Sequence, residues 1–149
     1  MMVRASVGVA LVAFLAASPA FAQHTAAGRI KVASGSAFIV RGSEQLPAQA
    51  GQILYESDTL RTGADGRLGI TLKDDTRVSL GPASEVRVDR FAYEPAESRI
   101  ALVLRVVRGV AAYVSGRIAK LAPDAVRLET PSAIVGVRGT TIALRIDQP

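Results

Sequence analysis

Three apolar-polar-apolar triplets, spaced eight residues apart, constrain the fold of this chain more than any other feature. They are Ile70-Thr71-Leu72, Val78-Ser79-Leu80 and Val86-Arg87-Val88. Alternation with a period of two residues is typical of β-strands that have one buried and one exposed face. Residues 73–76 and 81–84, between the triplets, are rich in residue types that favour tight turns. The pattern therefore predicts short strands joined by turns.

The same eight-residue spacing extends from Ile30 to Ile142. All but two positions of this series are apolar, and the exceptions are Thr62 and Glu94. Half of the chain is hydrophobic, at 49% of residues, but the positions between the apolar series are mainly polar, charged, Gly or Pro. The sequence therefore predicts an all-β fold of short strands with an approximate eight-residue repeat.

The individual elements are predicted from the same alternation. Residues 30–32 and 37–40 are predicted to form a first pair of strands, residues 91–98 a long loop, and residues 100–107 and 109–115 two further strands. Residues 116–121 fit either a strand or one helical turn. The eight-residue spacing also predicts that Ile118 is buried, whereas Arg117 faces solvent.

The N-terminus has the three parts of a secretory signal peptide. Arg4 provides a positive charge, residues 7–17 form an apolar stretch, and Ala20-Phe21-Ala22 fits a cleavage site with small residues. The alternative is an uncleaved membrane anchor, but the apolar stretch is shorter than the roughly 20 residues that a spanning helix needs. We therefore expect residues 1–22 to be removed and the mature chain to begin at Gln23 without a transmembrane helix.

The mature chain is expected to form one domain. Residues 23–28 are polar or small and are predicted to be a disordered lead-in, and residues 29–149 are predicted to be the β domain. The sequence contains no cysteine, so packing and strand pairing must hold the domain together without disulfides.

The charge pattern argues against nucleic-acid binding. The net charge is +5 at pH 7, but the arginines are scattered at alternate positions such as Arg77, Arg87 and Arg127. A nucleic-acid interface needs clustered cations, preferably with interleaved aromatic residues, and the few aromatic residues here do not accompany a basic run. We therefore predict no nucleic-acid partner.

No constellation of catalytic or metal-binding residues is apparent. His24 is the only histidine and lies in the predicted lead-in without a partner. The adjacent carboxylates Asp74 and Asp75 are expected to point apart in a turn, whereas acid-base catalysis needs two groups that face one substrate. Ser115 and Lys120 are a conceivable serine-lysine pair, but no feature of the sequence places them in contact.

Phosphate binding is not predicted either. Gly136 and Gly139 are not followed by the Lys-Ser/Thr pair of a phosphate-binding loop. We therefore expect a protein that is not an enzyme, with no catalytic residue, no cofactor and no bound metal.

Four segments, in this order, resemble the FecR domain family. They are Asp58-Thr59-Leu60-Arg61-Thr62-Gly63, Leu80-Gly81-Pro82-Ala83-Ser84-Glu85-Val86, Arg108-Gly109-Val110 and Thr130-Pro131-Ser132-Ala133-Ile134-Val135-Gly136-Val137-Arg138-Gly139-Thr140. The resemblance covers roughly residues 51–146, and the fourth segment is the most specific. It implies an all-β, twisted, β-solenoid-like domain in the bacterial periplasm.

Two departures from the family pattern affect what the resemblance implies. The family often has Asp-Gly in the turn where this chain has Asp74-Asp75. The iron-sensing members also carry a cytoplasmic anti-sigma segment and a membrane helix, and we expect this chain to lack both. A role in iron signalling therefore does not follow from the resemblance.

Arg138, Gly139 and Thr140 are the candidate ligand-binding or structural motif. In one interpretation, Gly139 permits a special backbone angle and Arg138 bridges neighbouring strands through its planar guanidinium. In the other interpretation, Arg138 presents that guanidinium to an acidic ligand, such as a sugar acid or a carboxylate of a partner protein. The sequence leaves both open.

Three functions remain, and the resemblance supports the first. It is a non-enzymatic periplasmic module that binds a partner protein or an envelope component in signalling. The second is a structural or polysaccharide-binding protein of the cell envelope, with an envelope glycan as the partner. The third is an enzyme, which no group of residues supports.

Overall fold

The computed structural model describes residues 24–138 and 141–147. Within them, twelve strands form one curled, mostly antiparallel sheet with the shape of a half-barrel. The strands are β1 (Ala26–Ser34), β2 (Ala37–Arg41), β3 (Glu44–Pro47), β4 (Ile53–Tyr55), β5 (Thr59–Thr62), β6 (Arg67–Leu72), β7 (Arg77–Leu80), β8 (Glu85–Glu94), β9 (Arg99–Val114), β10 (Val126–Glu129), β11 (Ile134–Gly136) and β12 (Thr141–Ile146). The all-β prediction is confirmed.

Three short helical segments complete the described fold. The helix α1 (Arg117–Leu121) follows β9, and single 3₁₀ turns lie at Pro95–Glu97 and Pro123–Ala125. In the described part of the chain, α1 is too short to cross a membrane, and so is every other helical segment.

The long strand β9 joins the two halves of the sheet. Its first half lies between β8 and β10, and β10 is its only parallel neighbour among the described strands. Its second half lies between β7 and β12. Beyond these neighbours the sheet continues through β5, β2 and β3 on one side and through β6, β1 and β4 on the other. This arrangement does not confirm the predicted solenoid with an eight-residue repeat.

The apolar residues of the three triplets point into a single core, as predicted. Ile70, Leu72, Val78, Leu80, Val86 and Val88 are all buried, whereas Ser79 and Arg87 are exposed. The largest fully buried side chains are Phe91, Ile30, Ile39, Leu54, Leu60, Leu68, Ile70, Leu72, Leu102, Leu104, Ile118 and Leu128. The core therefore draws on both halves of the sheet.

Two predictions about the elements are wrong. Residues 91–98 do not form a long loop, because Phe91 is buried opposite Leu102 and β8 continues to Glu94 before a tight 3₁₀ turn. Residues 100–107 and 109–115 do not form two strands, because β9 runs through both. The backbone is irregular between the two halves of β9, where Gly109 has a positive φ of 81°.

The start of the domain also differs from the expectation. The lead-in predicted over residues 23–28 is shorter, because β1 begins at Ala26 and Ala27 is completely buried. The carbonyl oxygen of Ala27 accepts a hydrogen bond of 2.8 Å from the backbone N–H of Lys73. The predicted signal peptide, residues 1–22, lies outside the described residues.

Candidate functional site

A polar junction between the two halves of the sheet links three of the four family-like segments. The hydroxyl of Thr62 donates to the carbonyl oxygen of Gly81 at 2.7 Å and accepts from the backbone N–H of Ser84 at 2.9 Å. The hydroxyl of Ser84 accepts from the backbone N–H of Val110 at 2.8 Å. Thr62 and Ser84 are both buried. This junction explains why the apolar series contains a threonine at position 62.

The glycine in the third segment is required by the same junction. A Cβ atom on Gly109 would clash with the side chain and backbone of Ser84. Gly109 also has a positive φ, which other residues adopt at a cost. The second and third segments therefore serve the local packing of the fold.

The first segment begins with an aspartate whose buried carboxylate pairs with a partly exposed arginine. The carboxylate of Asp58 is 1% exposed and accepts from Nε and Nη2 of Arg41 at 2.9 and 2.8 Å. It also accepts from the backbone N–H of Tyr55 at 2.9 Å, as expected for a turn aspartate. The hydrogen bond to Asp58 raises the pKa of Arg41. Asp58 therefore has a structural role.

The fourth segment is built differently, because its end faces outward. Thr130 closes the hairpin between β10 and β11 by accepting from the backbone N–H of Ala133 at 3.0 Å. Val137 is then buried and anchors the segment, whereas Arg138 is exposed. Among the described residues, no carboxylate forms an ion pair with Arg138. Gly139 and Thr140 lie outside the described residues.

A groove of about 730 Å³ lies beside Arg138. We call it the Arg138 groove. Its lining comes from the end of β9, from α1 and the 3₁₀ turn after it, and from the segment after β11. The residues are Val114, Ser115, Ala119, Lys120, Pro123, Asp124, Val137 and Arg138. The groove thus combines apolar walls with two cationic side chains and one carboxylate.

One wall of this groove is held in place by the buried carboxylate of Asp74. Oδ2 of Asp74 accepts from the hydroxyl of Thr76 at 2.7 Å and from the backbone N–H of Ile118 at 3.2 Å. The carbonyl oxygen of Asp74 accepts from the backbone N–H of Arg117 at 2.7 Å. Two N–H groups at the start of α1 are therefore satisfied by a single residue, which fixes α1 against the sheet.

The interior of α1 follows the sequence prediction. Ile118 is completely buried and Arg117 is exposed, although the segment is a helical turn and not a strand. Gly116 precedes the helix in contact with the backbone of Asp74 and Thr76, where a Cβ atom would clash. Lys120 therefore lies on the Arg138 groove at the end of a helical turn that is hydrogen-bonded to the sheet.

Sequence reasoning identified only part of this groove. Arg138 was a candidate from the fourth segment, but Lys120 was considered only together with Ser115. The structure places all three side chains on one groove. No local sequence pattern predicts that Lys120 and Arg138 line the same groove, because the β10–β11 hairpin between them brings the two segments together. A local sequence pattern could have indicated the role of Asp74, because Thr76, two residues later, has a hydroxyl that can bond to its carboxylate.

The comparisons with known proteins point to one family. The family model described as FecR protein matches residues 58–149, which is more than half of the chain. The match begins at the buried Asp58 and includes all four family-like segments. No curated protein and no solved structure shows a significant match.

Proposed function

Since this chain belongs to the FecR protein family, we propose that it is a non-enzymatic periplasmic module that binds a partner protein in cell-envelope signalling. The observation that carries the proposal is a difference between the family-like segments. Thr62 and Ser84 are buried and hydrogen-bonded within the fold, whereas Arg138 is exposed beside a groove. The side chain of Arg138 forms no ion pair within the described residues, so it is available to bind a partner.

The chemistry of the Arg138 groove favours an acidic group. A guanidinium can donate two parallel hydrogen bonds to one carboxylate, and Lys120 adds a second positive charge on the same groove. Val114 and Val137 line the same groove and offer apolar contacts beside such a pair. We propose that an Asp or Glu side chain, or a C-terminal carboxylate, of the partner protein binds here.

A second candidate is binding of an envelope polysaccharide through a sugar acid. The volume of about 730 Å³ supports it, because this is within the range of small-ligand sites. The ammonium of Lys120 and the carboxylate of Asp124 give the groove further polar groups for sugar hydroxyls. The same arginine would then bind the carboxylate of the sugar.

The proposed location rests on the sequence. We propose that residues 1–22 direct export and are then removed, which places the mature protein in the periplasm. Mass spectrometry of a periplasmic fraction should find a chain that begins at Gln23. An intact species that begins at Met1 in that fraction would contradict the proposal.

The binding proposal is tested by a capture experiment with matched variants. The wild-type protein and the variants Arg138→Gln and Arg127→Gln are immobilised and incubated with a detergent-solubilised envelope extract. Arg127 is the control, because it is also exposed and forms no ion pair within the described residues. We expect a protein that is retained by the wild type and by Arg127→Gln but lost with Arg138→Gln.

A glycan array that includes sugar acids separates the two candidates. Arg138-dependent binding to acidic glycans, with no protein captured, would support the polysaccharide alternative. If all three proteins retain the same partners and bind the same glycans, the groove is not the binding site.

A further inference from the structure

We propose that this protein also docks on an anionic lipid surface through one face of its sheet. This cationic face is the outward side of β1, β6, β7, the second half of β9, and β12. It does not include Arg138, and the inference does not depend on the function proposed for the groove.

Charge is the first observation. With β9 counted over residues 109–114, which pair with β7 and β12, the strands of the cationic face carry five cationic residues and no aspartate or glutamate. The cations are Arg29, Lys31, Arg67, Arg77 and Arg145, and all of them are exposed. Within residues 24–138 and 141–147, none of the five takes part in an ion pair. Like charges held on one face repel one another, and an anionic partner removes that cost.

The other half of the sheet shows that this pattern is not general in the molecule. There, Asp89 pairs with Arg87 and with Arg105, both at 3.0 Å. Arg105 also pairs with Glu129 at 3.2 Å. Several arginines of that half are therefore paired with carboxylates on the same or a neighbouring strand, whereas those of the cationic face are not.

The carboxylates that adjoin these strands in the sequence lie outside the strands themselves. Asp75 pairs with Arg117 at 3.3 Å, and Asp65 accepts a hydrogen bond from the backbone N–H of Ser36 at 3.3 Å. Hydrogen bonds from the side chain of Ser36 and then from its backbone N–H lower the pKa of Asp65, which favours the charged form of this side chain. Asp147 follows β12 and is exposed. The strands themselves present only positive charge.

Shape is the second observation. The middle of the face is a row of small residues that are direct neighbours across four strands, namely Gly69, Ser79, Ala112 and Ala143. Outward residues two positions along a strand lie roughly 7 Å away, which places Arg77 on one side of this row and Arg145 on the other. The middle of the face therefore carries no bulky side chain, and cations lie along both of its borders.

The nature of the exposed apolar residues favours lipid over a polysaccharide. Val32 lies beside Gly69 and is 58% exposed, and Val110 lies beside Arg145 and is 36% exposed. No aromatic residue points outward from these strands, so the face lacks a platform on which sugar rings stack. Small apolar side chains among lysines and arginines suit the boundary between lipid headgroups and acyl chains.

The test is co-sedimentation of the full chain with phospholipid vesicles. We expect binding to vesicles that contain phosphatidylglycerol, none to pure phosphatidylcholine, and a loss of binding at high salt. Each cation near an anionic surface changes affinity by about fivefold, so the double variant Arg29→Gln/Arg77→Gln should bind about thirtyfold more weakly.

The control is Arg90→Gln/Arg127→Gln, which removes the same charge from the other half of the sheet. Both of its arginines are exposed neighbours of Val103, and it should bind within about twofold of the wild type. Melting temperatures of both double variants show whether they are folded. An equal loss in both variants, no binding to phosphatidylglycerol vesicles, or binding only to a soluble acidic polymer such as dextran sulfate would overturn the proposal.

Discussion

At the scale of single residues, the adjacent aspartates of the β6–β7 turn have separate roles. Asp74 is completely buried and holds the start of α1 through its carboxylate and its carbonyl oxygen. Asp75 has a positive φ of 68°, the left-handed conformation that glycine adopts without a steric cost. This explains the departure noted in the sequence, since the family often has glycine at the second position of this turn.

Replacement of Asp75 tests that explanation. We expect Asp75→Gly to change the free energy of unfolding by no more than about 1 kcal/mol, because the relief of the left-handed strain offsets the loss of an exposed ion pair with Arg117. Asp75→Val should cost about 1 to 2 kcal/mol, because a β-branched residue is strained there. Urea denaturation measures both, and a glycine variant as unstable as the valine variant would contradict the assignment.

Tyr113 predicts how stability depends on alkaline pH. Burial raises the pKa of its phenol, and contacts with Ser115 and Thr76 oppose this. The folded protein therefore binds the proton more tightly than the unfolded chain. The resulting stability is complete below the unfolded pKa of about 10 and is lost as pH rises through the higher folded pKa.

The measurement is chemical denaturation across this pH range. Tyr113→Phe should lose less stability than the wild type as the pH rises above about 10. Parallel losses in the two proteins would show that the Tyr113 phenol titrates alike in both states.

At the scale of elements, the least predictable feature is the continuity of β9. The sequence predicted a break near Gly109, and a glycine with a positive φ is indeed there. The strand continues because Ser84 bonds the backbone of Val110 across the irregularity. Val110 belongs to the eight-residue apolar series but is exposed, since a local irregularity changes which side of the sheet a residue faces.

A pair of glycine variants isolates this junction. Gly109 and Gly42 both have a positive φ, but a Cβ on Gly109 would meet Ser84, whereas a Cβ on Gly42 would meet nothing within 4 Å. Gly42→Ala should therefore cost about 1 to 2 kcal/mol from the backbone alone. Gly109→Ala should cost about 1 to 3 kcal/mol more, from overpacking. Equal melting temperatures for the two variants would show that the junction is not tightly packed.

At the scale of the whole molecule, local alternation predicted the strands but not how they are assembled. The period-two pattern shows which side chains are buried, and it placed Ile70, Val78 and Val86 correctly. It contains no information on which strands pair. The pairing of β1 with β6 and of β5 with β8 joins segments distant in sequence, which local alternation cannot reveal.

The same limit applies to the Arg138 groove. Arg138 was identified because it belongs to a recognisable segment, whereas Lys120 and Asp124 reach the groove only through the fold around α1. Their importance is a property of the tertiary structure. The first three family-like segments differ, because hydrogen bonds within the fold account for residues such as Asp58, Thr62 and Ser84.

The central claim is that Thr62 stabilises the fold, whereas Arg138 does not and can therefore bind a partner. A comparison of variants at these two positions tests it most directly. The free energy of unfolding is measured by urea titration for the wild type, Thr62→Ala and Arg138→Gln. Thr62→Ala should lose about 1 to 3 kcal/mol, because it leaves the buried N–H of Ser84 without its partner. Arg138→Gln should remain within about 0.5 kcal/mol of the wild type. A loss with Arg138→Gln as large as that with Thr62→Ala would contradict the claim and identify Arg138 as a structural bridge.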